Sequence, residues 1–153
     1  MTNPTFTPVD PDFETRVRAS FGRQEAMKTL GVSVTRIAPG AIEFAMDHRH
    51  ALTQQHGFIH AGIIATALDS ACGYAAFTLM PSDSSVLTVE FKINLLAPAK
   101  GERFRFNANV VRAGKSITVC QGEAYGLNGD SAKLVATMTG TLMAVFGRDE
   151  IRG

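Results

Sequence analysis

A single carboxylate and the start of one helix are the groups in this chain most able to do chemistry. Residues 62–76 read GIIATALDSACGYAA, and apart from Asp69 every residue there is small, apolar or hydroxyl-bearing. Positions 65, 66, 72 and 73, where a helical ion-pair partner would stand, hold no lysine or arginine. An uncompensated buried charge is costly and usually has a function, so Asp69 is a candidate site residue. The alternative is that Asp69 lies on the one exposed edge of a mostly buried helix.

The predicted helix begins at His60, Ala61 and Gly62. The first N–H groups of a helix lack partners, and the helix dipole favours an anion there. Ala61 and Gly62 are small enough to let a ligand oxygen reach those N–H groups. The residues therefore suit an oxyanion hole.

The spacing of these two features sets a condition on the site. His60 and Asp69 are nine residues apart, which on an ideal helix is ~13 Å of rise and ~180° of rotation. One chain therefore cannot bring its own helix start and its own Asp69 to one atom. Two antiparallel copies can, so if both features matter the protein should be a dimer with its site at the interface.

The loop before the helix, residues 47–59, is polar and rich in histidine. Gln54 and Gln55 could donate to a carbonyl, or could lie in a solvated loop. His48 and His50 have no acidic or cysteine cluster attached, so no metal site is expected. The chain also lacks the G-x-S-x-G pattern of serine hydrolases and any phosphate-loop spacing.

The surrounding elements predict an α+β domain. Asp12 could cap a short helix over about 13–21, and a hairpin with a Pro39-Gly40 turn follows it. The apolar helix is expected over about 60–80, ended by Pro81, and four strands fill the rest, with Asn128-Gly129-Asp130 as a turn. Strands around one buried helix indicate an antiparallel sheet, and a second copy could cover more of the helix.

Composition excludes several classes of protein. The chain has 153 residues, enough for one domain with a core, and a net charge of +1 gives no nucleic-acid footprint. Cys72 and Cys120 form no framework and are expected to be reduced, buried thiols of a cytoplasmic protein. The N-terminal residues lack the basic and apolar stretches of a signal peptide. A membrane span over 63–80 is disfavoured because Asp69 would lie at its centre.

The stretch LTQQHGFIHAGIIATALDSACGYAA, residues 52–76, resembles the hotdog-fold acyl-CoA thioesterases of the phenylacetate-degradation type (PaaI-like), related to thioesterase superfamily member 2. That family carries an amide, then G-x-x-H-G-G, then seven residues to a helix aspartate. The matching positions here are Gln54, Gly57, His60, Ala61, Gly62 and Asp69. LTVEFKINLLAPAKGE and VVRAGKSITVCQGEAY match the family's strands, and the similarity covers about residues 30–145.

The resemblance implies one hotdog domain over 1–153, with an N-terminal extension over 1–28 and a core of about 30–146. It implies a sheet wrapped around a central helix, in a homodimer or a homotetramer with acyl-CoA sites between subunits. No metal or other cofactor is implied. The expected reaction is hydrolysis of an acyl-CoA or aryl-acyl-CoA to the free acid and CoA.

The family also implies a role for each matching residue. Asp69 would be general base or nucleophile, and Thr88 would orient the attacking water from the same subunit. The N–H of Ala61 and the side chain of Gln54 would polarise the carbonyl, while His60 would shape the loop near Gln54. Ala61 replaces a family glycine, and its N–H keeps this role provided that the position does not need a positive φ.

Several points stay open within what the resemblance implies. Gln55 could take the role of Gln54, and Gly62 could also contact the substrate. The acyl tunnel could be lined by Phe58, Tyr74 and Phe77. Arg112, Lys115 and Lys92 are candidates for the CoA phosphates by charge. A hotdog enoyl-CoA hydratase or dehydratase and a non-catalytic acyl-CoA binding domain are the rival functions.

Overall fold

The computed structural model describes residues 4–153 and has an α+β architecture. Two short helices, α1 (Phe13–Gly22) and α2 (Glu25–Leu30), precede a hairpin of β1 (Val32–Ala38) and β2 (Ala41–Asp47). A 3₁₀ turn (His50–Leu52) and a loop lead to the long helix α3 (Ala61–Phe77). Four strands follow: β3 (Ser84–Leu95), β4 (Arg103–Ala113), β5 (Ile117–Asn128) and β6 (Ser131–Phe146).

The strands form one antiparallel sheet of order β1-β2-β4-β5-β6-β3, which curves around α3. The core lies between the sheet and the helix, with fully buried side chains from both, among them Phe44, Phe106 and Leu68. The predicted fold class, an antiparallel sheet around a long helix, is therefore confirmed. No helix among residues 4–153 combines the length and the apolar character that a membrane crossing requires.

The sheet approaches the helix most closely at a glycine of β5. A Cβ placed on Gly122 would lie 3.1 Å from Leu68 Cδ2 and 3.2 Å from Cys72 Sγ, closer than such contacts normally allow. Gly122 therefore lets the middle of the sheet lie directly on α3. This contact fixes the helix, and with it Asp69, against the strands.

Strand β3 is an edge of the sheet and is unusually apolar on its exposed sides. Within residues 4–153 it pairs only with β6. Leu87, Val89, Phe91 and Leu95 are all exposed, with 41–57% of their surface accessible. A long apolar edge strand with unpaired backbone groups is a ready template for another chain.

The N-terminal segment differs from its prediction in two ways. Helix α1 forms, but Asp12 makes no side-chain cap; its own N–H donates to Asp10 Oδ1 at 2.9 Å. Helix α2 was not predicted, because a six-residue helix is too short to show a clear apolar period. Helix α1 lies at the end of α3 that is far from His60, whereas the end of α2 contacts the loop before His60 through Arg49, which donates to the carbonyl of Thr29.

Arg16 fastens α1 to the C-terminal end of α3. Its guanidinium donates to the carbonyls of Phe77 (3.1 Å), Met80 (2.6 Å) and Pro81 (2.8 Å) and pairs with Asp10 at 3.0 Å. A cation is favourable at this end of a helix, where carbonyl groups lack partners. The helix ends at Phe77 and not at Met80, where the sequence predicted its end. Residues 78–80 form a turn, and Arg16 donates to the carbonyl of Met80 at its end.

Candidate active site

The start of α3 lies in an open recess of about 530 Å³, called here the donor recess. It is lined by Gln54, Phe58, the helix start at residues 59–61, Ile64, the chain at 95–99, and Val135 with Ala136. Most of these side chains are apolar, and the polar groups concentrate at the helix start and at Gln54. The recess therefore offers hydrogen-bond donors against an apolar wall.

His60 caps the helix with its ring. Its Nδ1 accepts a hydrogen bond from the N–H of Gly62 at 2.8 Å, so in this state the ring proton is on Nε2. The N–H of Gly62 is therefore occupied and is not the free donor that the sequence allowed for. A Cβ on Gly62 would lie 3.1 Å from His60 Nδ1, which explains why a residue without a side chain stands there.

The N–H of Ala61 is the free donor of the helix start. Ala61 is exposed, and its N–H has no acceptor among residues 4–153. No residue other than glycine has a positive φ in the described chain, so alanine fits this position without strain. Ala61 therefore meets the condition set by the sequence, that its N–H can act as donor provided that the position does not need a positive φ.

Gln54 is the amide that faces the donor recess. Its Oε1 accepts from the N–H of His56 at 2.5 Å, and its own N–H donates to the carbonyl of Phe58 at 2.9 Å. The first bond orients the side chain, the second is made by the backbone, and the NH₂ group of the side chain is left as a donor without a partner in the described chain. Gln55 is exposed and lies outside the recess, so the geometry favours Gln54 for contact with a carbonyl.

Asp69 lies in a second recess of about 360 Å³, called here the acid recess. Thr88 Oγ1 donates to Asp69 Oδ1 at 2.8 Å, which joins α3 to the edge strand β3. Asp69 is half-buried and Thr88 is exposed, so the carboxylate stays reachable. The register of β3 against β6 shifts between Thr88 and Glu90, and such a bulge re-aims the neighbouring side chains.

The two recesses share no lining residue. The free N–H of Ala61 and the amide of Gln54 belong to one, and Asp69 with Thr88 belong to the other. A single chain therefore presents two half-sites, as the ~180° turn between His60 and Asp69 requires.

The remaining predicted residues divide between the recesses and the surface. Phe58 lines the donor recess and Tyr74 the acid recess. Phe77 is fully buried in the core beneath Arg16 and lines neither recess. Arg112 and Lys115 are exposed on the hairpin between β4 and β5, and Lys92 is exposed on β3. None of the three lines either recess.

Sequence reasoning missed several residues of the two recesses. Lys100 Nζ lies 4.9 Å from the ring centroid of Phe58, at the edge of the donor recess. Ser20, Gln24, Ser70 and residues 150–153 line the acid recess. Lys100 and Gln24 are far in sequence from the motif at residues 54–69, so no local pattern predicts their place in the site. The paths of α1, α2 and the C-terminal tail bring Ser20, Gln24 and residues 150–153 to the acid recess.

The two cysteines are unsuited to nucleophilic chemistry. Both are free and buried, and Cys120 Sγ donates to the carbonyl of Cys72 at 3.4 Å. Burial raises the pKa of Cys120 to about 12 and also raises the pKa of Cys72 far above its ordinary value. The thiolate is the reactive form, so these thiols stay inert at neutral pH. Among residues 4–153, no three metal-binding side chains come together.

Replacing His60 with alanine should destabilise the protein by about 1 kcal/mol, because the first turn of α3 loses its cap. The free energy of unfolding, measured with urea, checks this. His60→Ser, whose hydroxyl can cap, should recover most of the loss. His56→Ala is the control, since exposed His56 contacts only Gln55 through its ring nitrogens. Equal effects of the two alanine changes would contradict the capping role.

Comparison with known proteins places the chain among thioesterases. A family model described as the thioesterase superfamily matches residues 56–133. The crystal structure of a thioesterase family protein from Silicibacter pomeroyi is 53% identical, with a TM-score of 0.87, and the match covers 88% of this chain and 99% of that one. The PaaI protein of the E. coli phenylacetic acid degradation operon is 20% identical with a TM-score of 0.80, over 89% of this chain and 95% of that one, and so shares the fold.

An acyl-CoA thioesterase is among the curated relatives. It is the medium/long-chain acyl-CoA thioesterase YigI of Escherichia coli strain K12, 24% identical over 131 residues, or 76% of this chain and 83% of YigI. These matches confirm the resemblance drawn from residues 52–76.

Proposed function

Because this chain belongs to the thioesterase superfamily and is a thioester hydrolase, we propose that it acts on acyl-CoA and cleaves it to the free acid and CoA. The observation that carries the proposal is the pair of complementary half-sites. One holds free donors at Ala61 and Gln54, and the other holds the Asp69 carboxylate bonded to Thr88. Together they supply what hydrolysis of a thioester needs, which is stabilisation of an oxyanion and activation of water.

The proposal requires two copies of the chain. Pairing of β3 with β3 of a second copy, antiparallel about a twofold axis, would cover the exposed Leu87, Val89 and Phe91 and complete the edge. It would also place Thr88 and Asp69 of one copy beside residues 95–99 of the other, which line the donor recess. The site would then lie between subunits, twice per dimer. A homotetramer would be two such dimers.

The thioester carbonyl is bound at the donor recess. Its oxygen accepts from the N–H of Ala61 and the NH₂ of Gln54, which stabilise the negative charge as it develops. Asp69 of the second copy takes a proton from water while the water oxygen attacks the carbonyl carbon, and Thr88 holds the carboxylate in position. The carbon–sulfur bond then breaks, and the thiolate leaves and is protonated to CoA. In the other route Asp69 attacks the carbonyl directly and expels the thiolate, and water then hydrolyses the resulting anhydride to the free acid and restores Asp69.

The proposed reaction needs no cofactor. Thioesters are activated acyl donors, so a positioned water and one carboxylate suffice. Lys100, whose Nζ lies 4.9 Å from the ring centroid of Phe58 at the donor recess, is a candidate for a CoA phosphate, whereas the predicted Arg112 and Lys115 line neither recess. The two free, buried thiols suit a cytoplasmic enzyme.

Incubation with acyl-CoA substrates tests this function. Purified protein should release free thiol, detected with a thiol reagent, from at least one of acetyl-, hexanoyl-, dodecanoyl- and phenylacetyl-CoA. The same samples are checked for loss of enoyl absorbance with crotonyl-CoA. Water addition without thiol release would identify a hydratase instead, and tight binding of acyl-CoA without either reaction would identify a binding domain.

A further inference from the structure

We propose that the acid recess holds the acyl group and that Gln24, with Tyr74 and Ser70, selects acyl groups that carry a hydrogen-bonding substituent at their far end. A hydroxyacyl group is the substrate class that fits. This inference rests on the proposed thioesterase activity and deepens it, because it concerns which acyl-CoA the site prefers.

The acid recess suits the acyl end of the substrate because its inner side is closed. Gly73, Tyr74 and Ser85 in its wall are buried. The C-terminal tail crosses it, held where Ser85 Oγ donates to the carbonyl of Ile151 at 3.0 Å and Arg23 donates to the carbonyl of Gly153. An acyl group ends inside the protein, whereas the CoA moiety must continue to the nucleotide and its phosphates outside.

Charge favours the same orientation. The charged residues that line the acid recess are Asp69, Glu150 and Arg152, which together carry no positive excess. The donor recess has Lys100 at its edge and an exposed rim at Leu95 and Leu96. The phosphates of CoA are therefore better accommodated on the donor side, which leaves the acid side for the acyl group.

The wall beyond Asp69 carries a chain of polar side chains. Ser70 Oγ donates to Gln24 Oε1 at 2.9 Å, and Gln24 Nε2 donates to the Tyr74 hydroxyl at 3.4 Å. That hydroxyl also lies 3.1 Å from Ser20 Oγ. These contacts use one N–H of the Gln24 amide and leave the second without a partner in the described chain. All four residues line the acid recess.

The position of this chain sets where on the substrate the polar group should be. Tyr74 follows Asp69 by five residues, which is about 7.5 Å along the helix axis. The path between them is open, because a Cβ placed on Gly73 would meet nothing within 4 Å. An acyl chain can therefore run past Gly73 and bring a substituent to Gln24 several bonds beyond the thioester carbon.

Energetics explain why this wall discriminates. An alkyl end would strip water from the amide and hydroxyl groups and return no hydrogen bond. A hydroxyl would replace the lost water by accepting from the free N–H of Gln24. Sites that hydrogen-bond a substrate hydroxyl reject the analogue that lacks it, and one net hydrogen bond corresponds to about 3- to 10-fold in rate.

The test compares matched substrates. We expect kcat/KM for 5- or 6-hydroxyhexanoyl-CoA to exceed that for hexanoyl-CoA by about 3- to 10-fold. Gln24→Met, which keeps the length of the side chain and removes its amide, should bring the ratio to about 1 by lowering the hydroxyacyl rate alone. Gln121→Met makes the same chemical change on an exposed strand position and should leave the ratio unchanged. Ser70→Ala, which frees the Gln24 amide from its orienting bond, is a second variant and should reduce the preference.

The outcomes separate this inference from the proposed function. Equal hydrolysis of both substrates by the wild type, or a preference for hexanoyl-CoA, would overturn the inference and leave the thioesterase activity standing. A preference that survives in a folded Gln24→Met protein would overturn it too. Release of no thiol from any acyl-CoA would instead remove the proposed function and this inference with it. Circular dichroism and the thermal midpoint of each variant establish that it is folded.

Discussion

Replacement of Asp69 by asparagine should lower kcat for acyl-CoA hydrolysis by about 10²- to 10⁴-fold, the range expected when a general base is lost. Asparagine has the shape of aspartate, and its oxygen can still accept from Thr88 Oγ1, which now lies 2.8 Å from the carboxylate. The local structure should therefore persist while the proton acceptor is lost. Thiol release at saturating substrate measures the effect.

The control is Asp130→Asn, the same change in the exposed turn between β5 and β6. It should leave kcat unaltered. Affinity for acyl-CoA, measured by calorimetry, should change little in Asp69→Asn, because the substitution removes the proton acceptor and leaves the recess intact. Turnover by Asp69→Asn within about threefold of wild type, too little for a lost general base, would exclude Asp69 from the chemistry and point to a binding domain or another acid.

Replacement of Ala61 by proline should lower kcat by about 10²- to 10³-fold, because it deletes a donor to the oxyanion. Ala61 is the first residue of α3, where proline is well tolerated since that N–H has no helical partner. The residue before a proline must be extended, and His60 already has φ −58° and ψ 137°. The change therefore removes one N–H from the site while the helix keeps its geometry.

Ala61→Gly is the matched control for this prediction. It keeps the N–H and should retain activity close to that of the wild type, and Ala61→Pro should keep the wild-type thermal midpoint. Mixing the Asp69→Asn and Ala61→Pro chains by unfolding and refolding adds a stricter condition. A mixed dimer has one intact site, so random mixing should restore about a quarter of the wild-type activity. No recovery in a preparation shown to contain mixed dimers would contradict a site shared between subunits.

Much of this arrangement could be predicted because a few residues report directly on their surroundings. The apolar faces of residues 62–76 indicate a central helix, and the nine-residue interval from His60 to Asp69 already separates the two half-sites. Ala61 could be identified as a donor because main-chain geometry at a helix start does not depend on distant contacts. The role of Gly62 could not, since its N–H is taken by a histidine ring whose rotamer depends on packing.

The parts that were missed depend on where distant segments meet. Gln24 and Ser70 are 46 residues apart in sequence, yet they share a hydrogen bond in the acid recess. Arg112 and Lys115 have the right charge for a phosphate, but charge alone does not place them, and in the fold they lie away from both recesses. Phe77 lies under Arg16, a contact between α1 and α3 that its residue type alone does not indicate.

The attachment of α1 by Arg16 has a consequence for how this enzyme could diversify. Arg16 binds the end of α3 mainly through carbonyl groups, which every residue possesses, so its three hydrogen bonds there do not depend on which side chains residues 77, 80 and 81 carry. Ser20 and Gln24 follow on the same segment and line the acid recess, whereas Ala61, Gln54 and Thr88 lie on other elements. Under the proposed acyl selection, mutations at Ser20 and Gln24 would alter which acyl group is accepted without disturbing the reacting groups. Selectivity and chemistry are free to evolve at different rates in one small domain.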